Sequence, residues 1–253
     1  MDRSDPVIAA AAATPTGAAL VTLLEQHGWE VVFDDLDDAD GWCYGDKRLI
    51  EIDQKQDFAG QLATLVHEAR HAEQFSTVLG AERVAALSEA DSMLWARLME
   101  ADAFAIERQV LAEHFGDGCS IAPAFSRAAR AEPQPWYDAF EAALRQRPEA
   151  LYDGSAYCQA FAAFLLSNTD LVYERDHSVG LNDAAAGGMT GSHWVPQEAL
   201  AGIARHYAGS SALAAMFDGR VPARAVILRH PAFALKTTTA RFNAAARYQV
   251  PGL

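Results

Sequence analysis

Residues 64–75 read Thr64-Leu65-Val66-His67-Glu68-Ala69-Arg70-His71-Ala72-Glu73-Gln74-Phe75, with one His-Glu-x-x-His pattern at 67–71. On a helix, side chains four apart stand one above the other. His67 and His71 therefore share a face and can bind one metal ion together. Glu68 lies about 100° around the helix from His67, close enough to reach a water at such an ion without being a ligand. Phe58, Leu62, Leu65, Val66, Ala69 and Ala72 recur at helical spacing. They predict a helix from about 58 to 79, capped by Asp57 and stopped by Gly80.

Upstream, Gly41-Trp42-Cys43-Tyr44 and Arg48-Leu49-Ile50-Glu51-Ile52 flank Gly45-Asp46-Lys47. Two β-prone runs around a glycine-containing turn predict a hairpin. Leu49, Glu51 and Asp53 alternate with Ile50 and Ile52, the pattern of a half-buried edge strand. Trp29 to Phe33 reads as a further short strand. Before it, Thr14-Pro15 opens a helix carrying Ala19, Leu20, Leu23 and Leu24 and closed by Gly28. Residues 1–14 read as a flexible leader. Asp34, Asp35, Asp37, Asp38 and Asp40 lack the glycine and terminal glutamate of a calcium loop and read as a solvated acidic turn.

Downstream, a long helical pattern runs from about 81 to 115, with a kink or split near Ser88–Ser92, and ends at Gly116-Asp117-Gly118. Further helices are predicted at about 136–147, 153–168, 195–208, 210–217 and 236–247, punctuated by Pro123, Pro133, Pro135 and Pro148. The fold class is α+β, predominantly α. A short antiparallel sheet or hairpin precedes the motif helix, and the C-terminal half is helical. The expected layout is a leader at 1–14, a metal-binding region at 15–118, and a helical region at 119–253 packed on it.

The 253 residues are enough to bury a substantial core, and 51% of them are hydrophobic. A net charge of −14 argues against nucleic acid and against electrostatic attachment to anionic lipid. Cys43, Cys119 and Cys158 are odd in number and form no Cys-x-x-Cys pair, so neither a disulfide framework nor a cysteine zinc site is expected. The start of the chain lacks the basic and apolar pattern of a secretory signal, and no stretch has the length of a membrane span. The expected location is the cytoplasm.

A catalytic zinc site takes three protein ligands and leaves one position for water. His67 and His71 supply two. The next helix offers Leu98-Met99-Glu100-Ala101-Asp102-Ala103-Phe104-Ala105, with Glu100 as the third. Asp102, two positions on, points elsewhere and reads as a partner of a ligating histidine or a structural residue. Asp102, Glu51 and Glu73 are the carboxylates that could accept a histidine ring N–H. Glu100 lies 29 positions past His71, with nine residues before Gly80 and twenty after it. The second helix must therefore bend or break, or the connection must be longer than a tight turn.

The motif and the Glu100 segment together resemble the His-Glu-x-x-His zinc metallopeptidases whose third ligand is a downstream glutamate, the gluzincin-like group. Glu100–Ala105 is similar to the Glu-Ala-Asn-x-Phe-Ala segment of the ImmA/IrrE-type peptidases. It is also similar to the Glu-Ala-Asp-Ala segment of bacterial metallopeptidases with a His-Glu-Leu-Arg-His type motif. The resemblance covers about residues 15–115. It implies a zincin-like core with Zn²⁺ on His67, His71 and Glu100 and with Glu68 as general base, acting on a peptide or protein. Asp102 stands where the ImmA-like group has Asn, and Arg70 stands where many members have Gly, so that its bulk could narrow the cleft.

In such a site the metal lowers the pKa of its water towards about 7, and the glutamate moves the proton to the leaving amine. An oxyanion donor is usual. Tyr157, Tyr173, His177, His193, His206 and Tyr207 are candidates, each set against a structural or surface role. His193, in Ser192-His193-Trp194 after the glycine-rich loop 187–191, is the most suggestive. Two other readings stand beside the peptidase: a non-catalytic regulatory or binding protein on a zincin scaffold, and a metal-free helical interaction protein.

Overall fold

The computed structural model describes residues 2–37, 39–80, 83, 87, 89–116 and 135–166. Among these are six α-helices and one three-stranded sheet, a predominantly helical α+β fold. The predicted helices at 195–208, 210–217 and 236–247 lie outside the described residues.

Helix α1 (Pro6–Ala12) occupies the segment expected as a flexible leader. The Asp5 carboxylate accepts from the backbone N–H of Val7 at 2.8 Å, and Pro6 sits in the first turn, where no N–H is needed. Val7, Ile8 and Ala11 are buried in the main core. The alanine-rich run is thus a small amphipathic helix anchored by its larger residues. Helix α2 (Pro15–Gln26) starts as predicted, with Thr14 Oγ1 accepting from Gly17 N at 3.0 Å. Leu20, Val21 and Leu24 face the same core.

Strands β1 (Glu30–Asp34), β2 (Gly41–Tyr44) and β3 (Leu49–Asp53) form a sheet in the order β1-β3-β2. The hairpin β2–β3 is antiparallel, with Cys43 opposite Ile50. β1 lies parallel to β3, with Val31 opposite Ile50, so the sheet is mixed. β3 was expected at an edge and is central, because β1 pairs along its other side. Ile50 and Ile52 are fully buried under it. Their alternation with half-buried partners marks a two-layer sheet, and alternation alone does not separate an edge strand from a central one.

Helix α3 (Phe58–Glu73) carries the motif, begins at the Asp57 cap, and continues into a π-helical turn at Gln74–Val78. The predicted helix 58–79 is thus one helical run with a change of pitch. Leu79 is extended, so the run ends before Gly80. Helix α4 (Glu89–Phe115) begins where the pattern from 81 was expected to kink or split, near Ser88–Ser92. Glu100 is therefore eleven residues into its helix, while His71 is seven before the end of the preceding helical run. This removes most of the offset that a tight turn at Gly80 would have created.

Helices α5 (Pro135–Gln146) and α6 (Ser155–Leu166), joined through a 3₁₀ turn at Pro148–Leu151, pack on each other and on α4. Phe104 of α4 meets Trp136 at 5.1 Å and Phe164 at 5.4 Å between ring centroids. No single helix among the described residues is long and apolar enough to cross a membrane.

Candidate metal centre

The central face of α3 presents His67 and His71 to α4, and Glu100 rises between them. Nε2 of His67 is 3.1 Å from Nε2 of His71 and 3.4 Å from Glu100 Oε2. Nε2 of His71 is 3.4 Å from Glu100 Oε1. Tetrahedral ligands about 2.0–2.1 Å from a common ion stand roughly 3.3 Å apart. Two imidazole nitrogens and a carboxylate oxygen at that spacing make a donor set of the kind that holds a divalent metal.

The hydrogen bonds behind the rings indicate which nitrogens face the centre. Gln74 Nε2 lies 2.7 Å from Asp102 Oδ2 and 3.2 Å from Met99 O, both acceptors, so the amide NH₂ belongs on that side. Gln74 Oε1 then faces His71 Nδ1 at 2.9 Å and accepts its proton, leaving the Nε2 lone pair directed inward. His67 Nδ1 is 3.4 Å from Glu107 Oε2, which leaves its Nε2 inward as well. Two inward ring nitrogens at this distance can share a proton or a metal ion.

The electrostatics agree. Burial works against charge on His67, yet Glu100 and Glu107 outweigh it and hold its pKa well above the usual histidine value. Burial opposes charge on His71 too, and Glu100 again raises its pKa. Burial would raise the Glu100 pKa, but His71 and His67 hold it far below the usual carboxylate range. The pocket favours positive charge wherever its three donors meet.

Glu68 lies on the adjacent face of α3. Burial raises its pKa, with Glu100 and Glu107 adding to the rise and the two histidines opposing it. Strand β2 runs close beside it. A Cβ on Gly41 would lie 2.4 Å from Thr64 Cγ2, 3.0 Å from Glu51 O and 3.3 Å from Glu68 Cγ, so the strand can approach only as glycine. Cys43, next but one along β2, has its thiol pKa raised by burial and by the Glu68 charge.

Asp102 does not touch a histidine. It is fully buried, accepts from Arg70 Nε at 2.8 Å and from Gln74 Nε2, and receives the Tyr157 hydroxyl. Its link to His71 runs through the Gln74 amide. Arg70 does not narrow the cleft: it is fully buried and pairs with Asp102 and Glu73. Burial disfavours its charge, and those two carboxylates restore it. Glu51 accepts from the Tyr44 hydroxyl on the sheet. The ring partners are thus Gln74 and Glu107, neither expected from the sequence. The signal was present, because Gln74 lies three positions after His71 and Glu107 two helical turns after Glu100. Phe104 was also missed, although its ring packs edge-on against His67 at 4.5 Å. Tyr157 is engaged with Asp102, while Tyr173, His177, His193, His206 and Tyr207 lie outside the described residues.

Comparison with curated proteins and with solved structures finds no match. The family model described as "Putative metallopeptidase family (DUF6782)" matches residues 5–171, from the start of α1 through α6 and so well past residue 118. That match spans about two thirds of the chain, and with His67, His71 and Glu100 converging inside it, the protein belongs to this metallopeptidase family.

Proposed function

We propose that the chain is a zinc-dependent peptidase of the gluzincin-like type, with His67, His71 and Glu100 as ligands and Glu68 as general base. The observation that carries the reading is the triangle of inward-facing donors, 3.1–3.4 Å on a side, with Glu68 one position from the first ligand. Two imidazoles and one carboxylate with a position left for water are a familiar zinc set. The similarity of Glu100–Ala105 to the ImmA/IrrE-type segment supports the same ligand assignment.

Zinc bound there supplies a Lewis acid that polarises a carbonyl and makes a water acidic near neutral pH. Glu68 then accepts the proton of the attacking water on a carboxylate oxygen and delivers it to the leaving amine. Its raised pKa suits both directions of that transfer. His67 and His71 stay neutral on their inner nitrogens while Gln74 holds the outer N–H of His71 and Glu107 faces that of His67 at 3.4 Å. The substrate is a peptide or protein. β2 has no strand partner on its outer side among the described residues, and an extended peptide pairing there would pass beside Glu68. The net charge of −14 favours basic or neutral peptides.

Metal analysis and one substitution test the reading. The purified, metal-replete chain is expected to hold one zinc per molecule; less than about 0.2 per chain counts against a site of zinc-like affinity. Glu68→Gln is expected to retain zinc and lose hydrolysis of a fluorogenic peptide library. Hydrolysis that survives Glu68→Gln removes the assigned role.

A further inference from the structure

Each histidine of the centre is backed by a chain of buried groups, and both chains end on a tyrosine from beyond residue 118. One runs from His71 Nδ1 to Gln74 Oε1 at 2.9 Å and from Gln74 Nε2 to Asp102 Oδ2 at 2.7 Å; the Tyr157 hydroxyl donates to the other oxygen, Oδ1. The second runs from His67 Nδ1 to Glu107 Oε2 at 3.4 Å, and the Tyr137 hydroxyl donates to Glu107 Oε1 at 2.7 Å. Asp102 is fully buried, and Glu107, Tyr137 and Tyr157 are each 4–5% exposed. The two tyrosines come from different helices, Tyr137 from α5 and Tyr157 from α6.

A carboxylate can turn about its last carbon–carbon bond. Holding one oxygen on a hydroxyl sets the carboxylate plane and so aims the other oxygen. In the first chain the aimed oxygen, which also accepts from Arg70, faces Gln74, the group that orients His71; in the second it faces His67 itself. The Arg108 guanidinium lies 4.5 Å over the Tyr137 ring, which fixes that ring in turn. Partners outside the ligands tune metal affinity because they set the ring orientation and the tautomer.

We propose that Tyr137 and Tyr157 are positioning residues of the metal centre, each aiming a carboxylate in the chain of groups behind one ligand histidine: Glu107 behind His67 directly, and Asp102 behind His71 through Gln74. Helices α5 and α6 thereby complete the centre and do more than cover it. The inference rests on the assignment of His67, His71 and Glu100 as zinc ligands.

The test uses the full chain and a chromophoric chelator competing for zinc, at a temperature where every variant is folded. Tyr→Phe removes one oxygen and keeps the ring. Tyr137→Phe and Tyr157→Phe are each expected to weaken zinc binding about tenfold, in the range usual for such outer partners. They are also expected to shift or broaden the visible absorption band of the cobalt-substituted protein. Tyr152→Phe, on a side chain 82% exposed, is expected to change neither. In a Gln74→Met background the His71 chain is already cut. There Tyr157→Phe is expected to add nothing, while Tyr137→Phe still weakens binding. A merely structural role predicts a lower unfolding midpoint for the metal-free variants with the zinc affinity and cobalt band unchanged, and that result overturns the proposal. A wild-type chain that binds no zinc removes the ligand assignment itself, and this proposal with it.

Discussion

Nε2 of His67 faces Nε2 of His71 across 3.1 Å, with the outer nitrogen of His71 held by Gln74 and that of His67 facing Glu107 at 3.4 Å. On the proposed zinc assignment, a bound cation satisfies both nitrogens, and metal binding is expected to couple to fold stability. Zinc at about a hundred times its dissociation constant stabilises the folded chain by roughly 2.7 kcal/mol. For a chain of this size that corresponds to about 5–10 °C in unfolding midpoint. Chelator-treated protein is expected to melt lower by that amount in calorimetry and to recover on adding zinc. Identical midpoints in the two states would contradict the coupling.

Glu100 is the donor that closes the triangle, 3.4 Å from each histidine nitrogen. Glu100→Gln keeps the shape and removes the charge. It is expected to lower zinc affinity by more than the 10–100-fold typical of an outer partner, while the circular-dichroism spectrum stays helical. Zinc affinity within a factor of three of wild type would place the third ligand elsewhere.

Arg70 sits inside the motif and under the core. Arg70→Met strips the cation from Asp102, which is fully buried, and is expected to destabilise the chain by about 3–5 kcal/mol in urea unfolding. Arg70→Lys is also expected to be costly, because a lysine cannot reproduce the guanidinium fork that serves Asp102 and Glu73. If Arg70 instead crowded the cleft, Arg70→Met would leave stability near wild type and broaden the accepted peptides.

Gly41 lets β2 lie against α3. Gly41→Ala forces its Cβ into Thr64 Cγ2 and the Glu51 carbonyl and is expected to cost about 1–3 kcal/mol. Because the displaced strand borders Glu68, peptide hydrolysis is expected to fall more steeply than stability. Unchanged unfolding and turnover would show that β2 moves aside without consequence.

Much of this protein was legible along the chain. The four-residue spacing of His67 and His71 is a helical repeat, and local geometry alone puts the two rings on one face. Residues two apart diverge on a helix, so Glu100 and Asp102 could not both face the histidines, and in the structure Glu100 lies beside them while Asp102 pairs with Arg70. The caps at Thr14 and Asp57 and the turn between β2 and β3 follow from short-range rules and were placed correctly.

What the chain did not disclose depends on contacts between distant segments. Whether β3 is an edge or a centre depends on β1 returning parallel to it, which no alternation pattern encodes. Residues 6–12 look too small and too alanine-rich to pack until a core exists to receive Val7 and Ile8. The partners of the histidine rings are of the same kind. Glu73 and Asp102 seemed suitable by charge, yet Arg70 claims both, leaving Gln74 and Glu107 to hold the rings. Sequence alone determined which residues could bind a metal and that two of them share a helical face. Tertiary structure decided what orients them, because a buried donor takes the acceptor that packing brings within reach.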